Sequence, residues 1–236
     1  MKGLVLAAGR GMRLRPLTLH TPKSLVTIAG KPLLEHILAG LRSVGISEIM
    51  VVIGWLGEQI ERHFGNGSRF GLSLSYARQD EPTGSADAVL LAQDFAAGSH
   101  FLLTWGDILT DQRNYSAVLS KFREKLCNAV LGVNWVEDPA AGAAVYVEGD
   151  RVVNLIEKPP AGTSTTHWNN AGVMILPSDI FPDLRTLPLS ARGEHELPQV
   201  FPRLIEAGRI LLAAEFQGLW SDVGTPQEVE RLNWTG

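Results

Sequence analysis

Residues 4–8, Leu-Val-Leu-Ala-Ala, form an unbroken apolar run between Gly3 and Gly9. A strand with no polar position has no face to turn toward water, so it must be covered on both sides by other elements. The pattern recurs along the chain. Glu48–Gly54, Leu72–Tyr76 and Phe101–Thr104 read as further strands. Between them lie helical segments: Pro32 opens one that carries Leu33, Leu34, Ile37, Leu38 and Leu41 on one face and stops near Gly45, and Glu58–Phe64 and Ala86–Phe95 are two more. This alternation predicts a layered α/β sheet with strands largely parallel, and in such sheets ligands sit at the carboxyl ends of the strands.

Beyond Tyr115–Lys125, a further helix, the strand Ala129–Trp135 is followed by a hairpin of Ala144–Glu148 and Val152–Glu157 turning at Gly149-Asp150. Asn170–Leu176 and Ile210–Glu215 are strands, and Glu196–Ala207 and Pro226–Leu232 are helical. Asp138–Gly142 and Pro159–Trp168 are loops and candidate lids. No repeat and no linker divides the 236 residues, so one domain is expected.

Several function classes are disfavoured by composition. A net charge of −4 without a basic stripe argues against a nucleic-acid surface. No apolar run has the length of a membrane span, and the N-terminus has no leader pattern, so no membrane partner is expected. Cys127 is the single cysteine, which excludes an internal disulfide, fits a reducing cytoplasm and suits core packing. The six histidines are scattered without metal-ligand spacing, and none is assigned to chemistry.

The chemistry concentrates in the loop after the first strand, Gly9-Arg-Gly-Met-Arg-Leu-Arg-Pro16, and in Thr21-Pro-Lys-Ser-Leu25. Two glycines one residue apart let the backbone turn its amide hydrogens toward an anion, and Arg13, Arg15 and Lys23 supply positive charge. The loop is not a Walker loop, which ends in Gly-Lys-Ser/Thr, nor a dinucleotide fingerprint, which needs glycine where Leu14 stands. From the residues alone it is either a phosphate cradle or a strand-to-helix turn with solvated arginines.

The segments Leu6–Thr18, Pro22–Leu25 and Gly30–Pro32 resemble, nearly position for position, the signature of the sugar-1-phosphate nucleotidylyltransferases, and later motifs extend the resemblance over essentially the whole chain. It implies the Rossmann-like three-layer nucleotide-diphospho-sugar transferase fold with a mixed, mostly parallel central sheet. A nucleotide-binding half of about residues 1–112 and a sugar-phosphate half of about 113–236 follow from it. In the implied reaction a sugar 1-phosphate oxygen attacks the α-phosphorus of a nucleoside triphosphate and displaces pyrophosphate. The nucleophile is already mostly dianionic near neutral pH, so alignment and positive charge are what the protein must supply.

The resemblance assigns roles residue by residue. Arg13 holds the departing phosphates and Lys23 the α-phosphate, as the catalytic pair; Leu6, Ala7, Ala8, Gly9, Gly11 and Met12 bind the nucleotide with them. Arg15 either helps hold pyrophosphate or screens the loop. Gln79 and Gly84 match the base-reading segment, with Ser85 in place of the usual threonine; read alone, that stretch is a turn before a helix capped by Ser85. Asp107 and Asp222, the latter in Trp220-Ser-Asp-Val-Gly-Thr-Pro226, are the implied Mg²⁺ ligands, whereas Asp111 reads as a cap or turn former. Asp107, Glu157, Lys158, Asn170 and Gly172 are the implied sugar-phosphate residues. Adjacent Glu157 and Lys158 reach one ligand only if the strand ends or twists at Pro159. Trp105, Trp168 and Trp220 read more readily as core and are left out of the site.

The short form of the motif looks most like the uridylyl- and guanylyltransferases acting on N-acetylmuramate, mannose or heptose 1-phosphates, with UTP weakly preferred. A phosphocholine cytidylyltransferase and a non-catalytic nucleotide-sugar-binding regulatory subunit are the alternatives. Homo-oligomers are common among proteins with this signature.

Overall fold

The computed structural model describes residues 1–234. In chain order the strands are β1 (Lys2–Ala7), β2 (Thr27–Ile28), β3 (Lys31–Pro32), β4 (Glu48–Ile53), β5 (Ser73–Arg78), β6 (Phe101–Trp105) and β7 (Ile108–Thr110), then β8 (Ala129–Trp135), β9 (Ala143–Glu148), β10 (Arg151–Glu157), β11 (Trp168–Leu176), β12 (Leu211–Glu215) and β13 (Trp220–Asp222). The helices are α1 (Leu33–Ser43), α2 (Gly57–Phe64), α3 (Ser85–Leu90), α4 (Gln93–Ala96), α5 (Gln112–Glu124), α6 (Phe181–Arg185), α7 (Val200–Glu206) and α8 (Pro226–Asn233).

Nine strands form one sheet in the order β5-β4-β1-β6-β11-β8-β12-β10-β9. Only β10 and β11 run against the rest, so the sheet is mixed and mostly parallel. Alternate residues of β1 go to opposite faces, as the two-residue period of a strand requires. Val5 and Ala7 join a core with Leu34, Ile37, Leu38 and Leu41 of α1 and Val118 of α5; Leu4 and Leu6 join a second with Val89 of α3 and Phe201 of α7. Both faces of the unbroken apolar run are thus covered, giving the three layers. Cys127 packs at the margin of the first core.

Two predicted helices are interrupted. Ala86–Phe95 divides into α3 and α4, where Ala92 turns back onto Val89, and Glu196–Ala207 opens with a single tight turn, Leu197–Gln199, before α7. The short pair β7 and β13 has too little periodicity to be read from sequence, yet it brings Asp107 and Asp222 together: Asp222 pairs with Ile108, and Val223 N–H donates to the Asp107 carbonyl at 2.9 Å.

Candidate active site

The registers Leu6↔Trp105, Ala7↔Ile53 and Ile53↔Arg78 bring the carboxyl ends of β1, β4, β5 and β6 to one edge of the sheet. The glycine loop, residues 79–84 and Gly106-Asp107 therefore leave the sheet side by side. A cavity of about 350 Å³ opens among them, lined by Leu6, Ala7, Ala8 and Gly9 of the first loop, by Gln79 and Gly84, and by Lys23 and Asp107. Apart from its two chain neighbours, no protein atom lies within 4 Å of a Cβ built on Gly9, so this stretch of backbone faces open space at the cavity. Gly11 serves the turn instead. It holds a left-handed φ of 61°, its carbonyl accepts the Thr18 hydroxyl at 2.7 Å, and a Cβ would stand 3.0 Å from Thr18. Gly11, Met12 and Arg13 do not line this cavity.

A second cavity, of about 510 Å³, is lined by Asp107, Glu157, Lys158, Asn170, Gly172 and Asp222. The two share Ser85, Trp105, Asp107 and Glu194, so they are adjoining compartments with Asp107 at the join. At that join Lys23 Nζ lies 2.8 Å from Asp107 Oδ2 and 3.6 Å from Asp222 Oδ1, and Arg13 Nη2 lies 3.5 Å from Asp222 Oδ2. Two cations and two carboxylates thus balance one another where the compartments meet. Burial, and next the neighbouring Asp107 carboxylate, raise the Asp222 pKa against the pull of Lys23 and Arg13.

Trp220 Nε1–H donates to the Ala171 carbonyl at 2.9 Å, tying β13 to β11, and Leu219 N–H donates to Asp111 Oδ2 at 3.1 Å. Asp111 therefore precedes α5 in the cap position, but its carboxylate holds the approach to β13 rather than the helix end. Ser85 is likewise not a cap: α3 begins at this residue, and its hydroxyl accepts the Leu197 N–H at 2.8 Å.

At the far side of the larger cavity, β10 ends at Glu157, and Lys158 takes a left-handed φ of 44° while its N–H donates to the Gly142 carbonyl at 2.7 Å. That backbone reversal undoes the alternation that would part adjacent side chains, and Lys158 Nζ comes within 3.7 Å of Glu157 Oε1. Asn170 Oδ1 accepts the Gly172 N–H at 3.1 Å, whereas its Nδ2 is buried without a partner. A buried unpaired donor is costly, and this one belongs to a residue that lines the larger cavity.

Both site glycines make room for protein rather than ligand. A Cβ on Gly172 would meet Trp105 at 2.5 Å, and one on Gly84 would meet the His195 carbonyl at 2.2 Å. Gln79 Nε2 donates to the Gly84 carbonyl at 2.9 Å, leaving Oε1 as the free acceptor of this amide. Sequence reasoning also passed over cavity residues that the fold supplies. Trp105 and Trp220 line the larger cavity, while Trp168 packs against the second core. Arg192, Glu194 and Glu196 reach it from a polar turn that carries no local signal of function.

Burial pushes the Glu157 carboxyl up to about 7, with Glu196 adding to the rise and Lys158 and Arg192 opposing it. The native state therefore keeps this proton when the unfolded chain has lost it, so stability falls as pH rises from the ordinary carboxylate range through 7. Glu157→Gln removes that penalty. It is expected to stabilise the protein by roughly 2–3 kcal/mol at pH 8 and hardly at all at pH 4, read from chemical denaturation at the two pH values.

Comparison with known proteins identifies the family. Residues 2–234 match the family described as Nucleotidyl transferase. Agl11 of Haloferax volcanii, a low-salt glycan biosynthesis nucleotidyltransferase, is 34% identical over 99% of this chain and 65% of its own length. Glucose-1-phosphate thymidylyltransferase of Streptomyces griseus is also 34% identical, over 99% and 65%. The bifunctional protein GlmU of Methanococcus maripaludis is 33% identical over 99% and 54%, so the chain spans about half to two thirds of these relatives. A Bacillus anthracis structure provisionally assigned as a glucose-1-phosphate thymidylyltransferase, in complex with sucrose, superposes with a TM-score of 0.89 at 28% identity, over 99% of this chain and 94% of that one. A UDP-glucose pyrophosphorylase complexed with UDP-glucose has the same fold, with a TM-score of 0.89 at 20% identity, covering 99% and 97%. The chain belongs to the nucleotidyl transferase family.

Proposed function

We propose that this protein transfers a nucleotidyl group from a nucleoside triphosphate to a sugar 1-phosphate, releasing pyrophosphate, with UTP and N-acetylmuramate 1-phosphate as the preferred pair. The observation that carries the reading is the pair of adjoining cavities meeting at Asp107, with Lys23, Arg13 and Asp222 at the join. A triphosphate in the smaller compartment and a phosphate entering from the larger one would approach each other at this point. Residues 1–112 with Glu194 line the first compartment, and Lys158 and Asn170 line the second together with Ser85, Trp105 and Asp107 of the first half, which fits a single domain whose two halves share the site.

Among the described residues no group of three or more acidic, histidine or cysteine side chains gathers in a metal cage. Two carboxylates at a phosphate site suit Mg²⁺, which takes one or two protein oxygens and completes its shell with phosphate and water. Asp107 and Asp222 would hold it, and when bound it would neutralise charge on the phosphates. The protein's own residues do the rest. Lys23 and Arg13 hold negative charge developing at the α-phosphorus and on the leaving pyrophosphate, and the glycine loop fixes the triphosphate. In the larger cavity Lys158 grips the sugar phosphate, while Asn170 Nδ2 and Glu157 meet hydroxyls. Trp105 and Trp220 enclose the ring.

The single cysteine keeps cytoplasmic placement within this reading, and no helix among the described residues is long and apolar enough to cross a membrane. Mannose- or heptose-1-phosphate guanylyltransfer is the nearest alternative. A phosphocholine acceptor leaves Asn170 Nδ2 and Glu157 without hydroxyl partners. The deciding experiment measures pyrophosphate release with Mg²⁺ for four nucleoside triphosphates against a panel of sugar 1-phosphates and phosphocholine. UTP with N-acetylmuramate 1-phosphate is the expected strong pair; a blank grid with nucleotide-sugar binding retained would make the protein a non-catalytic binder.

A further inference from the structure

The residues that line the base side of the smaller cavity are stitched to a segment far along the chain. Ala86 N–H donates to the His195 carbonyl at 2.9 Å, His195 N–H to the Thr83 carbonyl at 2.9 Å, and Leu197 N–H to Ser85 Oγ at 2.8 Å. His195 Nδ1 lies 3.0 and 3.2 Å from the two carboxylate oxygens of Asp87, so this nitrogen carries the proton and donates. Gly84 lies so close to the His195 backbone that no side chain fits between them. Gln79 hangs from the Gly84 carbonyl and so belongs to the same assembly.

The other end of this segment forms part of the larger cavity. Arg192 Nε donates to Glu196 Oε1 at 2.8 Å, and Glu196 is only 5% exposed. The turn itself is closed by Gly193 N–H to the Ser190 carbonyl and Ser190 N–H to the Glu194 carbonyl, both at 2.9 Å. Glu194 lines both cavities. Burial and Lys158 act most on the titration of Glu157, and Glu196 and Arg192 act on it after them, so this turn contributes to the electrostatics on the sugar side. The hydrogen bonds of His195 to Thr83, Ala86 and Asp87 fix where that turn stands relative to the base loop.

We infer that His195 is a positioning residue through which residues 79–87 and 190–197 move as one body, coupling nucleotide binding in one compartment to sugar-phosphate binding in the other. The inference rests on the proposed nucleotidyl transfer. Coupling of this kind is reciprocal: whatever factor the nucleotide adds to sugar-phosphate affinity, the sugar phosphate adds to nucleotide affinity. A change on the base side is passed through the His195–Asp87 side-chain contact, which holds the backbone bonds at Thr83 and Ala86 in register, to the turn bearing Arg192 and Glu196. A purely structural tether would stabilise the fold without linking the two affinities.

Calorimetric titration with α,β-methylene-UTP and N-acetylmuramate 1-phosphate in the presence of Mg²⁺, each alone and with the other saturating, reads the coupling directly. The wild type is expected to bind each ligand about tenfold more tightly when the other is present. His195→Ala and Asp87→Asn are expected to bring that factor close to one, with nucleotide affinity alone almost unchanged. His195→Asn, which keeps a donor toward Asp87, should restore most of it. Equal coupling in the wild type and in folded His195→Ala, or none in the wild type, would overturn the inference.

A second readout needs no ligand. Amide hydrogen exchange in His195→Ala should accelerate at residues 83–87 and 190–197 together and spare the central sheet. Acceleration confined to 190–197 would overturn the single-body assignment. If the wild type binds neither ligand but the paired acceleration is seen, it is the substrate reading that has failed and not the linkage.

Discussion

Lys23→Ala lowers the turnover number by about a thousandfold while changing the apparent KM for the nucleotide only several-fold, measured by steady-state pyrophosphate release. The expectation follows from position. Lys23 has 11% of its side chain exposed and is held 2.8 Å from Asp107 at the join between the cavities, whereas Arg13 is 69% exposed. An ammonium fixed in a water-poor site acts on charge that develops during phosphoryl transfer with little reorganisation, and that is the interaction whose loss appears in turnover rather than binding. Lys23→Arg should recover little of the activity, because a planar fork does not fit the place of a compact charge between two carboxylates. A metal-free melting temperature below that of the wild type should accompany Lys23→Ala, since Asp107 and Asp222 lose a counter-charge. Near-normal turnover would remove Lys23 from catalysis.

The legible part of this molecule is whatever local pattern determines. The strand Leu4–Ala8 differs from the observed β1 only at its ends, because a run apolar on both faces has one place to go, between two helical layers. The reversal at Lys158 was legible as a condition, since Pro159 restricts the residue before it and adjacent side chains otherwise diverge. What escaped was contact between distant segments. Gly84 and Gly172 stand in the segments implied to bind the base and the sugar phosphate, but the space beside them is filled by His195 and Trp105, and no spacing in the sequence connects those pairs. Ser85 had the composition of a cap, yet its hydroxyl serves Leu197, more than a hundred positions away. The turn carrying Arg192 and Glu196 was invisible for the same reason: polar residues around Gly193 describe any surface turn until the sheet places them over a cavity.

The two aspartates show how such contact makes a site from unrelated motifs. Gly106-Asp107 follows β6, and Asp222 ends β13; only the pairing of β7 with β13 sets them side by side. The same pairing decides what Asp222→Asn should do. The substitution keeps side-chain volume and relieves the burial of a charge and, after it, the repulsion from Asp107 that together raise the Asp222 pKa, so the metal-free protein should be at least as stable as the wild type. It removes half of the carboxylate set available to a divalent cation, so the Mg²⁺ concentration for half-maximal activity should rise at least about tenfold, and maximal turnover should fall by roughly a hundredfold. A titration of pyrophosphate release against Mg²⁺, with melting measured in chelator, separates the two effects. Gain of stability with loss of metal response is the signature of a charge kept for chemistry at a cost to the fold. An unchanged Mg²⁺ titration would take Asp222 out of the metal site and leave its contacts with Lys23 and Arg13 as an ordinary ion-pair network.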